Sequence, residues 1–168
     1  MNNNIKKLTY TALLTALAII IPLAFGFLKI VIGPFSATLA SHVPMFVAML
    51  LGPLPAAMVG IGSALGFLVS APAVVAARAF MHTFVGAFGA VLIKKGVSFK
   101  KVVAITAPVH AGLEALVVIP FGYTMFKVLV VVGIGSFIHH IADGIIAFAL
   151  IKALSKSSDF VSLTNMKS

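Results

Sequence analysis

The chain has 168 residues, 61% of them hydrophobic and only 9% charged, at a mean hydropathy of +1.20; soluble domains carry about 25% charged residues, so an ordinary soluble fold is excluded. The absence of cysteine also excludes a disulfide scaffold, a thiolate metal site and a catalytic cysteine. Twelve Lys and Arg against three Asp and Glu give a net charge of +9, which in a soluble protein would suggest a nucleic-acid partner.

Apolar stretches at about 8–27, 39–53, 54–71, 73–93, 102–120 and 125–153 predict six transmembrane helices in a single integral membrane domain over residues 1–168, an all-α membrane protein. A crossing needs about 20 apolar residues, so the second and third segments are expected to be tilted, kinked or partly re-entrant. The first follows Lys6 and Lys7 as a secretory signal would, but no charged mature domain comes after it, and it is read as retained. The connection over 28–38, with Gly33 and Pro34, is the longest external one and reads as either a mobile lid or a plain turn. No inverted repeat is evident.

With the amino terminus inside, Lys6, Lys7, Lys94, Lys95, Lys100, Lys101, Lys152, Lys156 and Lys167 fall on cytoplasmic ends, and Lys29 and Lys127 fall outside. This asymmetry predicts N-in, C-in. The lysines thus serve as anchors at the lipid bilayer, and no nucleic-acid footprint is expected.

Arg78, the only arginine, lies inside the fourth segment, at a depth of roughly 8 Å by helical rise. A guanidinium there needs a partner, a wet cavity or a route to the interface. Snorkelling to headgroups, an ion pair with Glu114 and a carboxylated ligand all meet that need. His82 follows Arg78 by four positions, Glu114 follows His110 by four, and Asp143 follows His139 by four, so each pair stacks on one helix face. Counted from the outer ends, Arg78 and Glu114 lie about 8–9 Å deep and His82, His110 and His139 about 14–18 Å, which lets them line one cavity. Each histidine alone suits a hydrogen bond to a neighbouring helix backbone better than a ligand contact; their shared depth is what favours the cluster. Asp143 reads as a structural partner of His139 or His140. His42, before Pro44, either borders the same cavity or caps the second helix.

Gly60, Gly62 and Gly66 thin the third helix for close packing. No Lys-Ser or Lys-Thr follows them, so no phosphate loop is expected. Pro22, Pro108 and Pro120 sit in or at the ends of helices, where a bend in the fifth would help shape a pocket.

The opening LTYTALLTALAIIIP and the segment FSATLASHVPMFVAMLLGPLPAAMVGIGSALGFL, together with the size and six-helix pattern, resemble the substrate-binding S components of energy-coupling factor transporters, a vitamin-uptake class of ABC transporter in prokaryotic plasma membranes. The resemblance covers nearly the whole chain. It implies an S-component-like bundle with a vitamin pocket near the outer face under the first long loop, which is where Arg78, His82, His110, Glu114, His139 and His42 are expected. It also implies that the small residues Ala12 and Ala16 form a docking surface for a membrane-embedded coupling (T) subunit; packing within the bundle is the other use of such residues. Two cytoplasmic ATPase subunits would come from other chains. Metal-uptake S components begin Met-His, whereas this chain begins Met-Asn-Asn-Asn, so neither a metal site nor a cofactor is expected.

Trp is absent and Tyr10 and Tyr123 are the only tyrosines, which disfavours a large stacked ring such as thiamine or riboflavin. A small acid, pantothenate or niacin, suits Arg78; pyridoxine or a hydroxymethylpyrimidine becomes the alternative if Glu114 occupies that arginine. A self-sufficient transporter with Glu114 or Asp143 as proton carrier is the rival outside the family. An enzyme with His139, His140 and Asp143 on a metal is disfavoured, because adjacent helical residues diverge by about 100°.

Overall fold

The structure, a computed structural model, describes residues 2–164. It is an all-α membrane protein with one small hairpin. Helix α1 (Asn3–Ala24) begins where the Asn2 side chain accepts the Asn4 N–H. Its buried Thr11, Leu14, Ala18 and Pro22 recur every three to four positions, so a single stripe faces the bundle. Leu13, Leu17, Ile20 and Leu23 are exposed around the rest, an apolar surface suited to lipid.

Five of the six predicted segments become helical runs long and apolar enough to cross a membrane: Asn3–Ala24, Pro53–Ser70, Ala73–Lys94, Phe99–Phe121 and Lys127–Leu154. The segment at 39–53 differs. It holds a nine-residue helix, α2 (Val43–Leu51), with every residue buried. At 1.5 Å per residue α2 is about 14 Å long, half the hydrocarbon thickness. Its bounds follow from punctuation that hydropathy ignores. Pro44 sits in its first turn, and Gly52 at φ 125° followed by Pro53 ends it and starts α3 (Pro53–Ser70).

The predicted connection at 28–38 forms an antiparallel hairpin, β1 (Lys29–Ile32) against β2 (Phe35–Thr38), with Ile32 opposite Phe35. Gly33, at φ +56°, takes the left-handed position of the Gly33–Pro34 turn. The next span is broken at Met81 into α4 (Ala73–Phe80) and α5 (His82–Lys94). Helix α6 (Phe99–Val118) continues through Pro108. A π-helical run, Lys127–Ile134, feeds α7 (Gly135–Leu154), and α8 (Ser158–Leu163) closes the described chain.

Helix α3 packs against α1 on one side and α4 and α5 on the other. A Cβ on Gly60 would stand 2.4 Å from the Thr83 backbone N, and one on Gly66 would stand 2.5 Å from the Ile19 carbonyl oxygen. The expected packing role of these glycines is therefore direct backbone approach. Two apolar cores result. One gathers α2 with Leu14, Val59, Val85, Val102 and Ala147; the other gathers Phe35, Phe67, Val74, Val118 and Val132. Along α6 and α7 the two cores are separated by His110 and Glu114 and by Ser136, His139 and Asp143, so a polar layer lies between them.

Candidate functional site

His42 is the hub of the polar layer. It occupies the N-cap position of α2 but makes no side-chain cap; its ring instead points into the bundle and is 1% exposed. Nδ1 lies 2.9 Å from Asp143 Oδ2, and Nε2 lies 3.0 Å from His82 Nε2 and 3.2 Å from His110 Nε2. A carboxylate only accepts, so His42 carries its proton on Nδ1. Asp143 does more than the predicted pairing with its own helix. It accepts the Ala40 N–H at 2.8 Å through Oδ1 and the His42 N–H at 2.9 Å through Oδ2, and His139 Nε2 lies 3.1 Å from Oδ2. The carboxylate thereby fastens the hairpin-to-α2 junction to α7, where Ala40 is held at φ 67°, an unfavourable conformation for a residue with a Cβ.

The second half of the layer is built on Glu114. Its Oε2 accepts from Arg78 Nη2 at 2.7 Å and Nε at 3.1 Å, and the Ser136 hydroxyl donates to the same oxygen. Oε1 faces inward, 3.2 Å from His110 Nε2 and 3.5 Å from His82 Nε2. Behind His82, Nδ1 meets the Ser63 hydroxyl at 3.1 Å. Arg78 is 3% exposed, so it does not reach headgroups. Of the three readings open for Arg78, the ion pair with Glu114 is present in the structure.

The hairpin covers this arginine. Nη1 donates to the Pro34 carbonyl at 3.4 Å, and the guanidinium carbon stands 5.2 Å from the centre of the Phe35 ring, within cation–π range. Between the hairpin and the charged pair lies a void of about 10 Å³, bordered by Thr38, His42, Arg78, His82, Glu114 and His139, space for one water molecule. A recess of about 440 Å³ opens between the hairpin and α7, lined by Leu28, Ile30, Ile32, Val131 and Ile138, with His139 its one polar side chain. That apolar lining offers a carboxylate no charge partner.

The structure thus joins Arg78, His82, His110, Glu114, His139 and His42 in one connected layer. His140 hydrogen-bonds outside that layer, with Nε2 donating to the Thr106 hydroxyl at 2.9 Å. The divergence expected of adjacent helical residues is visible, since His139 turns to Asp143 and the Thr38 carbonyl. Ala12 and Ala16 are exposed on α1, away from its buried stripe, so they do not serve packing within the bundle. Sequence reasoning missed Ser63, Ser136 and the Pro34 carbonyl. Only Ser136 carried a signal, three positions before His139 and hence on its face.

Among proteins of known function, the chain is 38% identical to the niacin transporter NiaX of Lactococcus lactis subsp. cremoris, over 91% of this chain and 76% of the relative. No family model matches the chain. No solved structure matches it.

Proposed function

We propose, because the chain belongs to the S-component family of energy-coupling factor vitamin transporters, that it is the niacin-binding subunit of such an importer. One observation carries the choice of niacin over pantothenate, pyridoxine or a hydroxymethylpyrimidine: the 38% identity to a niacin transporter across 91% of the chain. Nicotinate is a small flat acid, and the polar layer holds the single buried arginine of the described residues, Arg78.

Glu114 and Ser136 engage Nε and Nη2, so the guanidinium edge left for a carboxylate is Nη1, now on the Pro34 carbonyl. Swinging the hairpin away uncovers that edge, because the Pro34 carbonyl and the Phe35 ring leave the guanidinium together. The substrate carboxylate then replaces the Pro34 carbonyl as acceptor, a charge-assisted bond in place of a neutral one. In this reading the hairpin is the lid, vitamin enters from the outer side of a prokaryotic plasma membrane, and the chain performs no bond chemistry. Ala12 and Ala16 dock on the coupling T subunit, and two cytoplasmic ATPases from other chains drive release. Glu114 and Asp143 are both occupied by fixed donors, which disfavours either as a mobile proton carrier.

The test is equilibrium binding of radiolabelled nicotinate to the purified full chain. Arg78→Lys, which keeps the charge but loses the two-pronged geometry, should weaken binding at least about tenfold, or 1.4 kcal/mol. If pantothenate or pyridoxine binds while nicotinate does not, the substrate is misassigned. If the chain alone accumulates nicotinate in liposomes under a proton gradient, the binding-subunit reading fails.

A further inference from the structure

Four donor atoms from α5, α6 and the entry to α2 converge on one point: the Nε2 atoms of His42, His82 and His110 and Oε1 of Glu114, all within 4.8 Å of one another. The separations that define the cluster are 3.0, 3.2, 3.2 and 3.5 Å. A zinc-sized ion with ligands at about 2.0–2.1 Å keeps tetrahedral ligands about 3.3 Å apart. These four separations, which run around the ring of ligands, match that spacing, and the two remaining pairs lie within 4.8 Å.

The lone pairs of the cluster are placed to serve one cation together. His42 holds its proton on Nδ1 against Asp143, so Nε2 presents one in-plane lone pair, yet both His82 Nε2 and His110 Nε2 face it. Without an ion, one of the two rings donates to that lone pair and the other to Glu114 Oε1; a cation instead takes a lone pair from each ring and from the carboxylate at once. The surroundings match what metal ligands need behind them. Asp143 backs His42, Ser63 backs His82, and Arg78 with Ser136 occupies the far oxygen of Glu114, leaving Oε1 free to ligate. His110 Nδ1 is buried without a partner, which makes His110 the least constrained ligand. With neutral imidazoles, Arg78 offsets one of the two carboxylates, and the buried layer keeps one uncompensated negative charge. A divalent cation reverses that sign and makes the void beside it attractive to an anion.

We propose that His42, His82, His110 and Glu114 form a four-ligand site for a divalent transition metal of the zinc class. Three imidazoles and a carboxylate suit zinc or cobalt over magnesium or calcium. The site does not depend on the identity of the vitamin.

Elemental analysis of the full chain, purified without a polyhistidine tag after growth with zinc, should find one equivalent of zinc. His82→Gln and Glu114→Gln should each lower retention at least tenfold, while His140→Gln, which changes a buried histidine outside the cluster, should retain the ion. Metal-free wild type, or equal retention in all variants, overturns the site. If the ligand variants do not fold, X-ray absorption on the zinc-loaded wild type decides. A nitrogen and oxygen shell at about 2.0–2.1 Å with imidazole scattering supports the site, and its absence overturns it. Nicotinate binding on the same preparation separates the two readings: zinc without nicotinate binding refutes the substrate, and nicotinate binding without zinc refutes the metal.

Discussion

Replacing Asp143 by Asn removes a charge with almost no change of shape, and the loss is set by two backbone donors. Oδ1 receives the Ala40 N–H at 2.8 Å and Oδ2 receives the His42 N–H at 2.9 Å. Whichever way the new amide turns, its NH2 group confronts one of these backbone donors, which is then buried without an acceptor. That costs about 1–3 kcal/mol, and the bonds that survive lose their charge assistance. Ala40, held at φ 67°, loses part of what maintains it. A total of about 2–4 kcal/mol corresponds to a fall in melting temperature of about 4–16 °C for a chain of this size. The chain has neither Trp nor Cys, so the melt is best followed by circular dichroism in detergent. Backbone hydrogen exchange should also quicken over β1 and β2, because the hairpin has lost its tie to α7. A variant that melts within about 1 °C of wild type, with unchanged exchange in the hairpin, would refute Asp143 as the fastener.

Two further predictions use the helices alone. Gly60→Ala places a methyl 2.4 Å from the Thr83 backbone N and should destabilise by about 1–3 kcal/mol through overpacking, whereas Gly112→Ala, in α6 with nothing within 4 Å of the added carbon, should be neutral or stabilise by up to about 1 kcal/mol. Thermal melts of the two variants side by side check the contrast. Ala12→Leu with Ala16→Leu, both on the exposed face of α1, should abolish co-purification with the coupling subunit while leaving nicotinate affinity within about twofold; retained assembly would move the docking face elsewhere.

Helical spacing made part of the site legible. The four-residue intervals Arg78–His82, His110–Glu114 and His139–Asp143 required each pair to share a face, and rise per residue matched Arg78 with Glu114 in depth and the three histidines with one another; the structure joins them. His42 was not resolvable in that way, because its depth depends on α2 being a half-length helix. An average over apolar residues at 39–53 is blind to Pro44 and to the Gly52–Pro53 break that set its ends. The choice of His42 and His139 over His140 as partners of Asp143 depends on which way the α7 face turns, and no local pattern encodes that. Convergence of four ligand atoms was equally hidden, since only His110 and Glu114 share a helix at a four-residue spacing and His42 and His82 join them only when α2, α5 and α6 are packed. Gly33 and Pro34 announced a turn, but pairing of the two flanking segments requires both to exist together.

The short α2 has a consequence for how the polypeptide is assembled. Nine residues, all enclosed by protein, gain little from partitioning into lipid and are too few to be recognised as a spanning segment during synthesis. Their shelter includes α5 and α7, and Asp143, which ties down the α2 entry, is made about a hundred residues after His42. The enclosure of hairpin and half-helix is therefore complete only once the last long helix has inserted, so a ribosome stalled before α7 would leave this stretch without its final tie.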